Sequence, residues 1–86
     1  MVHEVGEKVS VMAKFKDNRF APVRFRWGNR VHRLREVTGR WSEHDGQYRI
    51  YHFAAVSESD GFYEISFHTR NMEWILDKFA LDESGG

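Results

Sequence analysis

Apolar and polar residues alternate with a period of two over most of this chain. Residues 8–15 place an apolar side chain at every second position, which is typical of a half-buried strand. Residues 23–27 and 30–37 continue the pattern as a second and a third strand. Thr38-Gly39 then interrupts it, and residues 40–43 form either a short strand or an irregular link.

The second half of the chain predicts a longer hairpin. Residues 48–56 form the longest alternating segment, residues 57–61 a polar loop, and residues 62–69 the returning strand. If the loop has five residues, Val56 lies opposite Phe62. One face of this hairpin is then apolar apart from two tyrosine hydroxyls, and it carries Tyr51, Phe53, Ala55, Tyr63, Ile65 and Phe67.

Residues 71–81 fit two structures. Met72, Ile75, Leu76 and Phe79 have helical spacing, and Asn71 is a candidate N-cap. Read as a strand, the segment has a poorer pattern. The local sequence therefore slightly favours a helix.

Tight turns set the fold class. Gly28-Asn29 has glycine at the first central position, as a type II′ hairpin turn requires, and Asp17-Asn18 and Asp45-Gly46 indicate two further turns. Five to six antiparallel strands joined in this way predict a mainly β domain, a small barrel or roll of SH3-like or OB-like character, with a short C-terminal helix as the open alternative. The expected core residues are Val11, Phe25, Trp27, Tyr51, Phe53, Ile65, Phe67 and Leu76.

Composition bounds the rest. Eighty-six residues make a single domain, 1–86, and seven Phe, three Tyr and three Trp supply a core without a metal. The absence of Cys excludes disulfides and thiolate chemistry. Residues 1–7 and 82–86 are expected to be flexible. No apolar run approaches membrane-spanning length, so we expect no membrane partner and a soluble, cytoplasmic protein.

Charge is sorted along the chain although its total is zero. Residues 14–40 carry nine basic and two acidic residues, a net of +7, and residues 41–86 carry three basic and nine acidic residues, a net of −6. A local excess of Arg creates a strong surface field even on a neutral protein. The open question is whether this excess meets an external anion or the acidic half of the chain.

The hairpin at Gly28-Asn29 concentrates that charge. A two-residue loop pairs Trp27 with Arg30 and Arg24 with Arg33, so one face of the hairpin is apolar and the other is rich in arginine. Phosphates would satisfy the guanidiniums, and exposed aromatic rings would stack bases. The predicted nucleic-acid-binding residues are Arg24, Arg26, Arg30, Arg33, Arg35, Arg40 and Trp41. Alternatively, the arginines pair within the chain with Glu64, Glu73 or Asp77.

No motif indicates catalysis, a metal or a cofactor. Of the five histidines, only His52 and His68 are expected to lie near each other, and two histidines without a third ligand make a weak metal site. Ser57, Ser59 and Asp60 lie in a turn, where such residues bond the backbone. We therefore expect no catalytic residues, no metal, no cofactor and no enzymatic activity.

The function predicted from the residues is non-catalytic binding of single-stranded nucleic acid through the arginine-rich hairpin. The alternative is a protein-interaction or self-associating module whose arginines pair with its own acidic strands. The chain is then a monomer or a weak homodimer.

Three short segments resemble a family of small, functionally uncharacterised bacterial domains. Residues 22–41 read PVRFRWGNRVHRLREVTGRW, an aromatic strand and basic turn followed by Glu-Val and then Trp. Residues 62–65 (Phe-Tyr-Glu-Ile) and 74–77 (Trp-Ile-Leu-Asp) resemble two later strands of that family. The resemblance covers about residues 22–82.

Such domains occur alone or attached to proteins similar to translesion (Y-family) DNA polymerases. The resemblance implies a bacterial protein, a DNA-repair protein as partner, and no catalytic residues. It also implies a strand at residues 71–81. We follow it there because a final strand closes the sheet and tertiary context overrides propensity.

Overall fold

The computed structural model describes residues 1–59 and 61–81, and they form a closed barrel of six antiparallel strands. Each strand pairs with the next, and the first pairs with the last. The expected mainly β class and small antiparallel barrel are confirmed. The strands are β1 (Val2–Lys16), β2 (Arg19–Trp27), β3 (Arg30–Asp45), β4 (Tyr48–Ser57), β5 (Gly61–His68) and β6 (Glu73–Leu81).

The predicted turns join these strands. Gly28 has φ 62° and Asn29 has a negative φ, as a type II′ turn requires. Asp17 and Asn18 both have positive φ, 54° and 62°, which is the type I′ pattern. Gly46, with φ 63°, opens the turn between β3 and β4.

The predicted registers are confirmed in both hairpins. In the β2–β3 hairpin Trp27 pairs with Arg30 and Arg24 with Arg33. In the β4–β5 hairpin Val56 pairs with Phe62, so the predicted apolar face points into the barrel. Each register is fixed because a one-residue slip would turn every core side chain to the solvent.

The core lies between β2, β4, β5 and β6. Phe25, Phe53, Ile65 and Leu76 are buried, as expected. The other four expected core residues, Val11, Trp27, Tyr51 and Phe67, are half-buried around them. Ala55 and Tyr63, on the predicted apolar face of the β4–β5 hairpin, are also buried. Buried residues that were not expected are Pro22, Val56, Ser57, Gly61 and Ser66.

Both ends of the described chain lie in the barrel. Residues 73–81 form β6, so the expected final strand is confirmed and the helical alternative is wrong; their backbone pairs with β5 on one side and β1 on the other. The flexible segment expected at 1–7 is instead the start of β1, where Val2 pairs with Ala80. The second flexible segment, 82–86, lies outside the described residues.

Strand β3 runs continuously through the expected break at Thr38-Gly39. Its register against β4 shifts between Leu34 and Glu36 and again between Val37 and Gly39, which marks two bulges. Backbone pairing of β3 with β2 covers only Arg30–Arg33. Beyond that point β3 follows β4, so the barrel wall opens between β2 and the second half of β3.

Candidate nucleic-acid interface

Three arginines share the outer face of β2 and β3, and we call Arg24, Arg26 and Arg33 the arginine surface. Arg24 and Arg33 are directly opposite each other. Phe25 and His32, also a direct pair, stack on the inner face with ring centroids 5.0 Å apart. Because side chains alternate between the faces of a strand, the burial of this inner pair fixes the arginines on the outside.

Apolar side chains lie among these guanidiniums. Met12 of β1 pairs with Arg24, and Val31 of β3 pairs with Arg26; their exposed fractions are 50% and 51%. Together with Ser10 they form the floor of an open depression. The arginine surface therefore combines three cationic side chains with exposed apolar area.

The carboxylates expected to neutralise the arginines contact other groups. Glu73 pairs with Lys8 at 2.9 Å and Glu64 with Lys78 at 3.9 Å. Asp77 Oδ2 lies 4.0 Å from His52 Nδ1. Within the part of the chain that the structure describes, no ion pair involves an arginine of the arginine surface.

Glu58 is the acidic residue that borders the depression. Its backbone N–H donates to the Arg33 carbonyl at 2.9 Å. Its carboxylate is absent from the ion pairs formed by the described residues. Among the residues that the structure describes, Glu58 is thus the acidic side chain that lines this depression, at the edge of the arginine surface.

The other four predicted site residues lie elsewhere. Arg30 is the first residue of β3, where it pairs with Trp27, and Arg35 is the extra residue of the first β3 bulge. Arg40 spans the opening in the barrel wall, donating from Nη1 to the Phe20 carbonyl at 2.8 Å. Trp41 stacks on His52, with centroids 5.1 Å apart and planes 3° apart. The structure thus brings together only three of the seven predicted residues.

A polar pair lies beneath the arginine surface. Tyr63 Oη and His32 Nδ1 are joined by a 3.2 Å hydrogen bond. Desolvation, assisted by the nearby Arg30 charge, lowers the pKa of His32 below 6.5. Desolvation also raises the pKa of Tyr63 above 10.0. Both groups are held in their neutral forms, which keeps the layer below the arginines uncharged.

This burial predicts a pH-dependent stability. Because the pKa of His32 is lower in the folded state than its ordinary value of 6.5, the unfolded chain binds more protons between the two values. The stability associated with the neutral His32 side chain is fully present above pH 6.5. It is lost as the pH falls from 6.5 towards the pKa of His32 in the folded state. Urea denaturation at about pH 7.5 and about pH 5.5 should show a larger loss for the wild type than for His32→Gln. Equal losses would contradict the assignment.

An aromatic cleft occupies the opening between the β1–β2 hairpin and the β3–β4 hairpin. Its volume is about 440 Å³. Sequence analysis missed it, although Phe15 and Phe20 flank the Asp17-Asn18 turn and so pair across it. Its lining includes Phe15, Phe20, Arg40, Trp41, Tyr51 and Phe53.

A groove on the other side of Trp41 is acidic. Glu4, Glu43, Glu64 and Asp77 line it together with Lys78. Among residues 1–59 and 61–81, no cluster of three His, Cys, Asp or Glu side chains has a geometry that would hold a metal ion. The separation of basic and acidic residues along the sequence therefore produces two surfaces of opposite charge in the fold, the arginine surface and this acidic groove.

The chain matches no family model, no curated protein and no solved structure. The family resemblance of residues 22–82 therefore stays a prediction. No helix within the described ranges has the length and apolar character needed to cross a membrane.

Proposed function

We propose that this chain is a non-catalytic module that binds single-stranded nucleic acid through the arginine surface. One observation carries the proposal: three guanidiniums lie on one outer sheet face without an ion pair among the described residues. Arg24 and Arg33 are like charges directly opposite each other, an arrangement that an anion laid across the sheet would relieve.

A phosphate backbone is the anion that best fits this surface. Guanidinium groups bind phosphate oxygens with two parallel hydrogen bonds, and the three arginines lie on one sheet face across two adjacent strands. Contacts of this kind position a strand without reading its sequence. We therefore expect weak binding with little sequence preference.

A second function is favoured by the acidic groove. Glu4, Glu43, Glu64 and Asp77 form a surface complementary to the arginine surface, so two molecules could associate through them, or a basic protein could bind. Sedimentation at low and high salt tests charge-driven association, since a monomer under both conditions removes it. We also propose a cytoplasmic protein and, from the family resemblance, a bacterial one with a DNA-repair partner; the association test depends on none of these.

Titration of a labelled single-stranded oligonucleotide tests the main proposal. Three or four neutralised phosphates predict that log affinity falls against log salt with a slope of roughly −2 to −3. The measurement is fluorescence anisotropy over a salt series with the wild-type chain. Absence of binding at low salt would remove the proposed function, and a slope near zero would remove its phosphate basis.

A further inference from the structure

We propose that the aromatic cleft receives one unstacked base of the bound single strand. This inference rests on the proposed function and names the part of the ligand that the arginine surface does not hold. The ligand class that fits the cleft is an aromatic ring attached to an anionic group, as in one nucleotide of a flexible strand.

One wall of the cleft consists of two aromatic rings, one of which has little packed against it. Phe15 and Phe20 are direct partners across the β1–β2 hairpin and so share the face that overlooks the cleft. Phe20 is half-buried, whereas Phe15 remains 75% exposed. A large apolar side chain on an inward face with so little packed against it leaves room for a ring from outside.

The floor of the cleft is rigid. The Phe20 ring makes edge contacts with Tyr51, Phe53, Phe67 and Trp74 at centroid distances of 5.3, 5.4, 5.8 and 6.0 Å. Edge-to-face contacts are a favourable geometry for aromatic pairs, so these four neighbours restrain the Phe20 ring. The stacking surface is thus present before a ligand arrives, which reduces the entropy lost on binding.

The charge of the rim selects an anion. Arg19 and Arg40 border the cleft, and its lining, drawn from the described residues, includes no carboxylate. Arg40 lies 5.5 Å above the Phe53 ring and donates from Nη1 to the Phe20 carbonyl. A guanidinium has five N–H donors, so Arg40 can hold its place in the wall and still bind a phosphate.

The size of the cleft favours one nucleotide over a duplex. About 440 Å³ lies within the roughly 300–1,000 Å³ typical of small-ligand pockets. Bases in a duplex are stacked and paired and would have to be pulled out to enter it. The inference therefore predicts a preference for single strands, which phosphate contacts alone would not give.

The test compares Phe15→Ala with Phe62→Ala. Phe62 is a matched control because it is 48% exposed and lies on the outer face of β5, away from the cleft. Loss of one stacked base predicts a roughly 5- to 150-fold weaker affinity for a single strand with Phe15→Ala. Phe62→Ala should bind like the wild type, and Phe15→Tyr should retain binding because it keeps the ring.

An oligonucleotide with abasic sites separates this inference from the proposed function. Such an oligonucleotide keeps its phosphates but lacks bases at those sites. The wild type should therefore bind it less tightly than the normal strand, whereas the Phe15→Ala variant should bind both strands equally. Binding by the wild type with no dependence on bases or on Phe15 would overturn the cleft inference alone. Binding of an acidic aromatic peptide but of no oligonucleotide would overturn both.

Discussion

Reversing two charges of the arginine surface, Arg24→Glu with Arg33→Glu, is expected to abolish binding of single-stranded oligonucleotides and to leave the barrel folded. The two guanidiniums are direct cross-strand partners, so the variant places two carboxylates where phosphates would lie. Stability should change little, since one like-charge pair replaces another at an outer sheet position. Anisotropy titration at low salt and a thermal melt measure the two effects.

A matched control uses cations that already have acidic partners. Lys8→Glu with Arg70→Glu gives the same change in net charge, and its sites pair with Glu73 and Asp45. Both pairs are largely exposed, so their loss should cost little stability. Binding should persist in this control. A destabilised Arg24→Glu/Arg33→Glu protein, together with a wild type that binds no oligonucleotide, would instead support pairing of the arginines within the chain.

The turn and register of the β2–β3 hairpin could be predicted because their signals are local. Gly28 supplies the positive φ that the turn needs, and the alternation on either side leaves one register that buries Phe25. The hairpin between β4 and β5 was predictable for the same reason. In both, turn chemistry and hydrophobic pattern specify the same pairing.

Strand β6 was difficult to predict from the sequence because a bulge gives its core residues the spacing that is typical of a helix. The register against β5 shifts so that Glu64 faces Lys78 and Ile65 faces Leu76, which leaves Asp77 as an extra residue. Leu76 and Phe79 therefore both point to the core although they are three residues apart. Three-residue spacing between core positions is what a helix would also show. The start of β1 is obscured in the same way by its register shift between Glu4 and Glu7.

The candidate site was predictable only where one hairpin contains it. Alternation placed Arg24, Arg26, Arg33 and Arg35 on a common face. The structure has the first three there, but Arg35 is the extra residue of a bulge. The aromatic cleft was not predictable, because it joins Phe15 of one hairpin to Trp41 of another across an opening that only the tertiary fold creates. Pairing of the carboxylates with Lys8 and Lys78 likewise depends on closure between β1 and β6.

The arginine surface depends on one buried ring. Phe25 lies between Arg24 and Arg26 in sequence and is 1% exposed, stacked on His32 and edge-on to Tyr63 with both centroids at 5.0 Å. Its burial turns its two neighbours outward. The same side chain therefore stabilises the core and orients the arginines.

Replacing it, Phe25→Ala, is expected to lower the free energy of unfolding by about 3–5 kcal/mol, since the change removes buried apolar area and leaves a cavity. A chain of 86 residues has roughly 4–13 kcal/mol in total, so the variant should be close to unfolding. Urea denaturation measures the loss, and the exposed Phe62→Ala should change stability by no more than about 0.5 kcal/mol.

Because the arginine surface exists only on the folded hairpin, oligonucleotide binding by Phe25→Ala should disappear with the folded fraction. A Phe25→Ala protein destabilised by less than about 1 kcal/mol would show that Phe25 does not hold the core and the arginine surface together.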